Sequence, residues 1–180
     1  MKAVVFLATG FEEVEAVGTI DVLRRGETET VTVSVTGNKT VTGAHDIPIV
    51  ADKLFEEMDF THFDTLVLPG GGPGSLMLNQ HEGVRKVLVA HYNQQKLIAA
   101  ICAAPRVFGS LGLLEGKKAT CYPGIEPELK GAILVDRPAA TDHNVITGKG
   151  PGLVFDFGLE ILDYYGSSSH AADVAEEMLL

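Results

Sequence analysis

Two cysteines stand in this 180-residue chain, and one of them sits where chemistry could use it. Cys102 lies in KLIAAICAAP, residues 96–105, between an apolar run and Pro105. Small residues flank it on both sides in Ala100-Ile101-Cys102-Ala103-Ala104, so a strand can turn sharply into a helix there without side-chain clashes. Such a turn holds a nucleophile exposed. Pro105 suits a first helical turn, where its missing N–H is no loss, and the positive end of a helix lowers a thiol's pKa. The same residues also fit a small buried hydrophobe, a common fate for cysteine. Local spacing leaves both readings open.

A nucleophile needs partners, and the sequence offers acids more readily than bases. Glu12, Glu13 and Glu15 follow the first apolar run, in GFEEVEA at 10–16. Acids at a helix start complement its dipole on structural grounds alone. A carboxyl facing the thiol from a buried position would have a raised pKa and could donate a hydrogen bond or shuttle a proton. Spacing does not choose among the three. The histidines are His45, His62, His81, His91, His143 and His170, and the residue directly after Cys102 is Ala103. His81 and His91 flank an expected surface helix, and His143 precedes a strand in an expected hairpin. No His-Glu-x-x-His pattern occurs, so neither a conventional histidine base nor a metal site is expected.

A third group of residues is Pro69–Gly74, PGGGPG. It lacks the Gly-Lys-Ser/Thr ending of a phosphate-binding loop, and Pro73 removes an amide donor, which argues against nucleotide binding. By composition it reads first as a tight turn, and second as backbone N–H groups offered to an oxyanion near Cys102.

These residues must be positioned by the elements around them. Lys2–Ala8 is an uninterrupted apolar run, as expected of a strand buried on both faces of a parallel sheet. Phe11–Arg25 carries Val14, Val17, Ile20 and Leu23 at near-helical spacing, with Gly26 as a stop. Thr30–Val35 predicts a second strand, and TVTGAHDIPIVAD a small antiparallel excursion. Leu54–Met58 predicts a short helix and Thr65–Leu68 a buried strand. Beyond the glycines, helices are predicted over Glu82–Gln95, Pro105–Leu114 and Leu153–Tyr165. Strands are predicted over Leu97–Ile101, Lys118–Tyr122, Ile133–Val135 and Asn144–Thr147. Alternating strands and helices predict an α/β doubly wound, mostly parallel sheet with helices on both faces. Ligands of such folds bind beyond the carboxyl ends of the strands. The loops at 9–15, 69–74 and 102–105 all follow buried strands, so they are expected on one rim.

Bulk properties narrow the rest. The length suits a single domain over 1–180 with a sizeable core. A net charge of −10 argues against nucleic acid or an anionic membrane as partner. The apolar N-terminal run is shorter than a signal peptide requires, nothing approaches a membrane span, and two cysteines make no disulfide framework. A reducing cytoplasm is the expected setting.

At its three loops the chain resembles the ThiJ/PfpI superfamily. The resemblance is closest to the branch that contains the parkinsonism-associated protein deglycase and bacterial relatives. The matching stretches are GFEEVEA at 10–16, DVLRR at 21–25, LVLPGGGPG at 66–74, LIAAICAAP at 97–105 and ITGKGPGLVFDFGLEIL at 146–162. They run in order over nearly the whole chain. The resemblance implies a flavodoxin-like α/β sandwich that forms a homodimer and needs no cofactor. It assigns Cys102 as the oxidation-prone nucleophile and Glu15 as the protonated acid hydrogen-bonded to its sulfur. The backbone N–H groups of Gly71 and Ala103 would line a small anion pocket, with Gly70 and Tyr122 beside it.

Two departures qualify the function it implies. Protease-like members carry histidine immediately after the cysteine, where this chain has Ala103, so peptidase activity is not expected. Members of the deglycase branch often carry a histidine where Tyr122 stands here, which argues against a histidine relay. Cys121, next to it, is expected as a packed core thiol. The implied activity is glutathione-independent handling of small aldehydes or glycated substrates. Redox sensing or a redox-regulated chaperone role through a Cys102 sulfinate is the alternative.

Overall fold

The computed structural model describes residues 1–166 and 168–180. The first strand, β1 (Lys2–Leu7), is followed by α1 (Glu13–Arg25), β2 (Glu29–Ser34) and a hairpin of β3 (Thr40–Thr42) and β4 (Pro48–Val50). Next come β5 (Lys53–Leu54), β6 (Thr65–Leu68), α2 (Gly72–Gln80), α3 (Glu82–Asn93), β7 (Leu97–Ile101) and α4 (Pro105–Ser110). The chain closes with β8 (Lys118–Ala119), β9 (Ile133–Leu134), β10 (Ala139–Asp142), β11 (Val145–Gly148), α5 (Val154–Tyr164) and α6 (Ser168–Glu177). Seven strands form one sheet in the order β10-β11-β7-β6-β1-β2-β5. All neighbours are parallel except the β10–β11 edge pair.

The uninterrupted apolar runs are explained by two cores, one on each face. In β1, Val4 and Phe6 face one core with Leu66, Leu68, Ile98 and Ala100, covered by side chains of α2, α3 and α4. Ala3 and Val5 face the other with Val67, Leu97, Ala99 and Ile101, covered by α1, α5 and α6. A strand whose side chains alternate between two apolar layers has no use for a polar position. Phe108 fills one core and Phe157 the other, each fully buried. Truncating either to alanine costs about 3–5 kcal/mol by the usual cavity penalty.

Alternation of strand and helix gave the architecture, and the short or glycine-rich elements depart from expectation. Gly72-Pro73-Gly74 opens helix α2 instead of closing a turn, with Pro73 placed where its absent N–H is no loss. Leu54–Met58 resolves into the end of β5 and a 3-10 turn at Phe55–Glu57. The strand expected over Lys118–Tyr122 is only Lys118–Ala119. It pairs with β9 in a separate two-stranded sheet, not the main one. The helix from Pro105 ends at Ser110, short of Leu114. Helix α6 and the edge strand β10 are additions to the predicted elements. His91 is buried, not on the surface, with Nε2 3.2 Å from the Phe63 carbonyl. Among the described residues no helix is long and apolar enough to cross a membrane.

Candidate active site

Cys102 follows β7 at the carboxyl edge of the sheet and has a φ of +65°. For a residue with a Cβ this left-handed backbone costs about 1–2 kcal/mol, so the surroundings must hold it. They do so at both peptide groups. The Cys102 N–H donates to the Gly148 carbonyl at the end of β11, and its carbonyl accepts the Tyr122 N–H, each at 2.9 Å. The chain then enters α4 with Pro105 in the first turn. This is the sharp strand-to-helix elbow that the flanking alanines permit.

Only one of the three glutamates reaches the thiol. Glu13 turns away to fasten the β3–β4 hairpin: its Oε1 accepts the His45 N–H at 2.7 Å, and its Oε2 lies 2.9 Å from His45 Nδ1. Burial alone would raise its pKa, but these bonds and the Ile47 amide outweigh that and lower it. Glu12 stays at the rim, donating its N–H to the Gly70 carbonyl at 3.1 Å and turning its Oε1 to within 3.6 Å of His45 Nδ1, away from the thiol. Glu15, in the first turn of α1, is fully buried. Its Oε2 accepts the Gly70 N–H at 2.8 Å. Its Oε1 has no hydrogen-bond partner among the described residues, and the carboxyl as a whole lies close enough to Cys102 for each group to act on the other's titration.

The glycines explain the closeness. A Cβ on Gly70 would stand 2.5 Å from Glu15 Oε2 and 2.7 Å from Cys102 Cβ, so thiol and carboxyl meet across a site where only hydrogen fits. Gly71 has a φ of +88°, and its N–H is turned toward the sulfur together with that of Ala103. The PGGGPG stretch is thus both a tight turn and a source of amide donors. Gly10 locks it in place, accepting the Gly74 N–H at 3.1 Å.

The electrostatics correct one expectation. The elbow was expected to lower the thiol's pKa, and the amides of Ala103 and Gly71 do pull that way. Burial, followed by the charge and hydrogen bond of Glu15, outweighs them and pushes the Cys102 thiol far above the ordinary range. Glu15 is itself raised to about 7, chiefly by burial, with the nearby Glu12 charge adding to it. Two buried acids this close do not both ionise readily, so they titrate as a pair. The pair loses its first proton near neutrality and holds the second far beyond. Sulfur faces two amides and the carboxyl faces one, an arrangement that favours the single negative charge on sulfur with the proton on Glu15.

Tyr122 contributes its amide to the elbow, but its ring is 48% exposed and lies over Gly150. No histidine is among the groups acting on Cys102. Cys121 is a buried member of the core. The role of the Gly148 carbonyl as acceptor for the Cys102 amide has no trace in sequence beyond the glycines at the end of that strand.

Fold and site together define a class: an open α/β sheet with an elbow cysteine at its carboxyl edge, set against a buried carboxylic acid. The chain belongs to the DJ-1/PfpI family, whose sequence profile matches residues 1–164. It is 36% identical over 181 residues to the protein DJ-1 homolog B of Arabidopsis thaliana, covering 99% of this chain and 41% of that protein. It is 32% identical over 155 residues to a protein of Pyrococcus abyssi named as a deglycase, covering 84% of this chain and 92% of the relative. Among solved structures it is similar to a cysteine-to-alanine mutant of a DJ-1 superfamily protein from Salmonella typhimurium. The TM-score is 0.94 at 38% identity, covering 99% of this chain and 97% of that one.

Proposed function

We propose that this protein detoxifies or repairs reactive carbonyls through Cys102, in the manner of a glutathione-independent glyoxalase or protein deglycase. The observation that carries the reading is the buried Glu15 carboxyl against an elbow thiol, with no histidine acting on either. Cys102 thiolate adds to the aldehyde carbon of a dicarbonyl such as methylglyoxal, and the carbonyl oxygen takes the proton from Glu15, giving a hemithioacetal beside a Glu15 carboxylate. Gly71 and Ala103 N–H groups face the developing oxyanion. Glu15 removes the proton from the thiohemiacetal carbon and returns one to the neighbouring carbon, giving a thioester. Water then releases the hydroxy acid and restores the thiol, so methylglyoxal plus water becomes lactate. Glycated amines or thiols would pass through the same addition. The name of the Pyrococcus relative supports this class of substrate. Methylglyoxal turnover by Cys102→Ser at the wild-type rate would sink the reading; loss of at least ~100-fold is expected of a missing nucleophile.

A second reading rests on the same contact. Peroxide would oxidise the Cys102 thiolate to sulfenate and then sulfinate, each step releasing water, and the Glu15 carboxylic acid would donate to the new oxygen. Mass spectrometry after mild peroxide should show two added oxygens on Cys102; preferential oxidation of Cys121 would count against it. A homodimer is proposed with either reading. Val14 and Val17 on α1 and Ile47 and Val50 on the adjoining hairpin are exposed apolar residues beside the His45–Glu13 contact.

A further inference from the structure

Arg106 stands in the first turn of α4, four positions past the nucleophile. Its side chain is only 9% exposed, and its Nη2 lies 2.9 Å from Glu128 Oε1, on a carboxylate that is about half exposed. Its Nε–H is buried and has no hydrogen-bond partner among the described residues. As a stabilising device this is poor. A desolvated guanidinium with one half-solvated partner and an unpaired donor returns less than an apolar side chain of the same volume would.

Its position suggests another use. Glu128 ends the 3-10 turn Glu126–Glu128, which lies so close to α4 that a Cβ on Gly109 would run into the Glu128 carbonyl. The segment leading to it begins at Tyr122, whose N–H holds the Cys102 carbonyl at 2.9 Å. Between these ends the Ile125 N–H donates to the Tyr122 carbonyl and the Glu128 N–H to that of Ile125. Ile125 also packs against both cores. The segment 122–128 is therefore fastened to the nucleophile's own peptide at one end and to Arg106 at the other.

We propose that Arg106, through its pair with Glu128, is a positioning residue for Cys102, clamping this segment so that the Tyr122 amide keeps the elbow left-handed. With the clamp released, the elbow can relax, and sulfur, Glu15 and the two amides no longer act on one another. The link to turnover rests on the carbonyl reading above, but the clamp itself is read from the thiol and needs no substrate.

The test uses the full chain in a Cys121→Ser background, so that a single thiol reports. Iodoacetamide alkylation of Cys102 is followed against pH, well below the melting temperature of each variant. Arg106→Met should slow alkylation at pH 7 by at least ~10-fold and move its pH midpoint from the near-neutral first ionisation of the Glu15–Cys102 pair upward toward the ~8.5 of a free cysteine. Arg106→Lys should restore most of both. Glu128→Gln, whose side chain is partly solvated and which should therefore fold, is expected to fall between them. A wild-type rate and midpoint in Arg106→Met, or in Glu128→Gln should Arg106→Met fail to fold, overturns the clamp whatever the melting temperatures do. Should methylglyoxal turnover be absent from the wild type while the alkylation shifts appear, the carbonyl reading fails and the clamp stands.

Discussion

Cys102 and Cys121 are both free, both buried, and differ little in exposure, at 9% and 5%. Burial raises the pKa of each: Cys121 to about 11, with Glu126 and Glu128 adding to it, and Cys102 further. On pKa alone Cys121 would be the better nucleophile. What separates them is the company of the sulfur. Cys121 packs in an apolar cluster with Phe108 and Leu129, and no amide acts on it. Cys102 has two backbone N–H groups turned toward it and a carboxylic acid able to keep the shared proton. A buried thiol becomes useful when a neighbour can hold its proton and fixed dipoles can hold its charge.

The strongest way to break this contrast is to separate the acid from the thiol without touching either. Gly70→Ala places a methyl group 2.5 Å from Glu15 Oε2 and 2.7 Å from Cys102 Cβ, so one of them must move. A displacement of about 1 Å at a reacting centre can cost ~100-fold, and alkylation of Cys102 should fall by that order. Cys121, in the opposite core, should be unchanged in alkylation under denaturing and native conditions alike. An unaltered Cys102 rate would show that the Gly70 contact does not set its reactivity.

How much of this was legible beforehand follows from the physics of each signal. Two apolar layers leave uninterrupted runs in β1, β6 and β7, so the sheet and its rim could be read from hydrophobicity alone. Glycine and proline carry no such pattern, and in PGGGPG they mark close approach and a helix start as readily as a turn. The choice of Glu15 over Glu12 and Glu13 came from family resemblance. It could not come from spacing, because Glu13 is equally buried-facing and is consumed by a hairpin contact that no local pattern announces. The pKa direction of Cys102 departs from the sequence expectation for a related reason. A local motif reports the dipole and the amides, while burial and the Glu15 charge come from elements far apart in sequence.

A smaller effect tests the acid side of the pair. Glu15 is raised in the folded protein from 4.5 to about 7, so the folded state binds the proton more tightly than the unfolded chain. Because Glu15 and Cys102 titrate as a pair, the stabilisation belongs to the pair's first proton: it is most favourable below pH 4.5 and is lost as pH rises to about 7. Glu15→Gln mimics the protonated acid and has no such dependence. Urea unfolding of the two proteins between pH 4.5 and 7.5 should therefore show the variant gaining on the wild type by roughly 3 kcal/mol. A constant difference across that range would mean that the Glu15–Cys102 pair does not give up its first proton near neutrality.

The smallest effect is expected at Tyr122, and its smallness is the point. Its amide is part of the elbow, whereas its ring is half exposed and rests on Gly150. If backbone donors and a buried acid are what distinguish Cys102 from Cys121, then removing the phenol should matter little. Tyr122→Phe should keep Cys102 alkylation and its pH midpoint within about twofold of wild type, as is usual for surface changes away from the named interactions. A tenfold loss would place the hydroxyl in the proton path and give the site a third acid. The contrast between the two cysteines would then rest on a side chain that the folded chain leaves turned toward solvent.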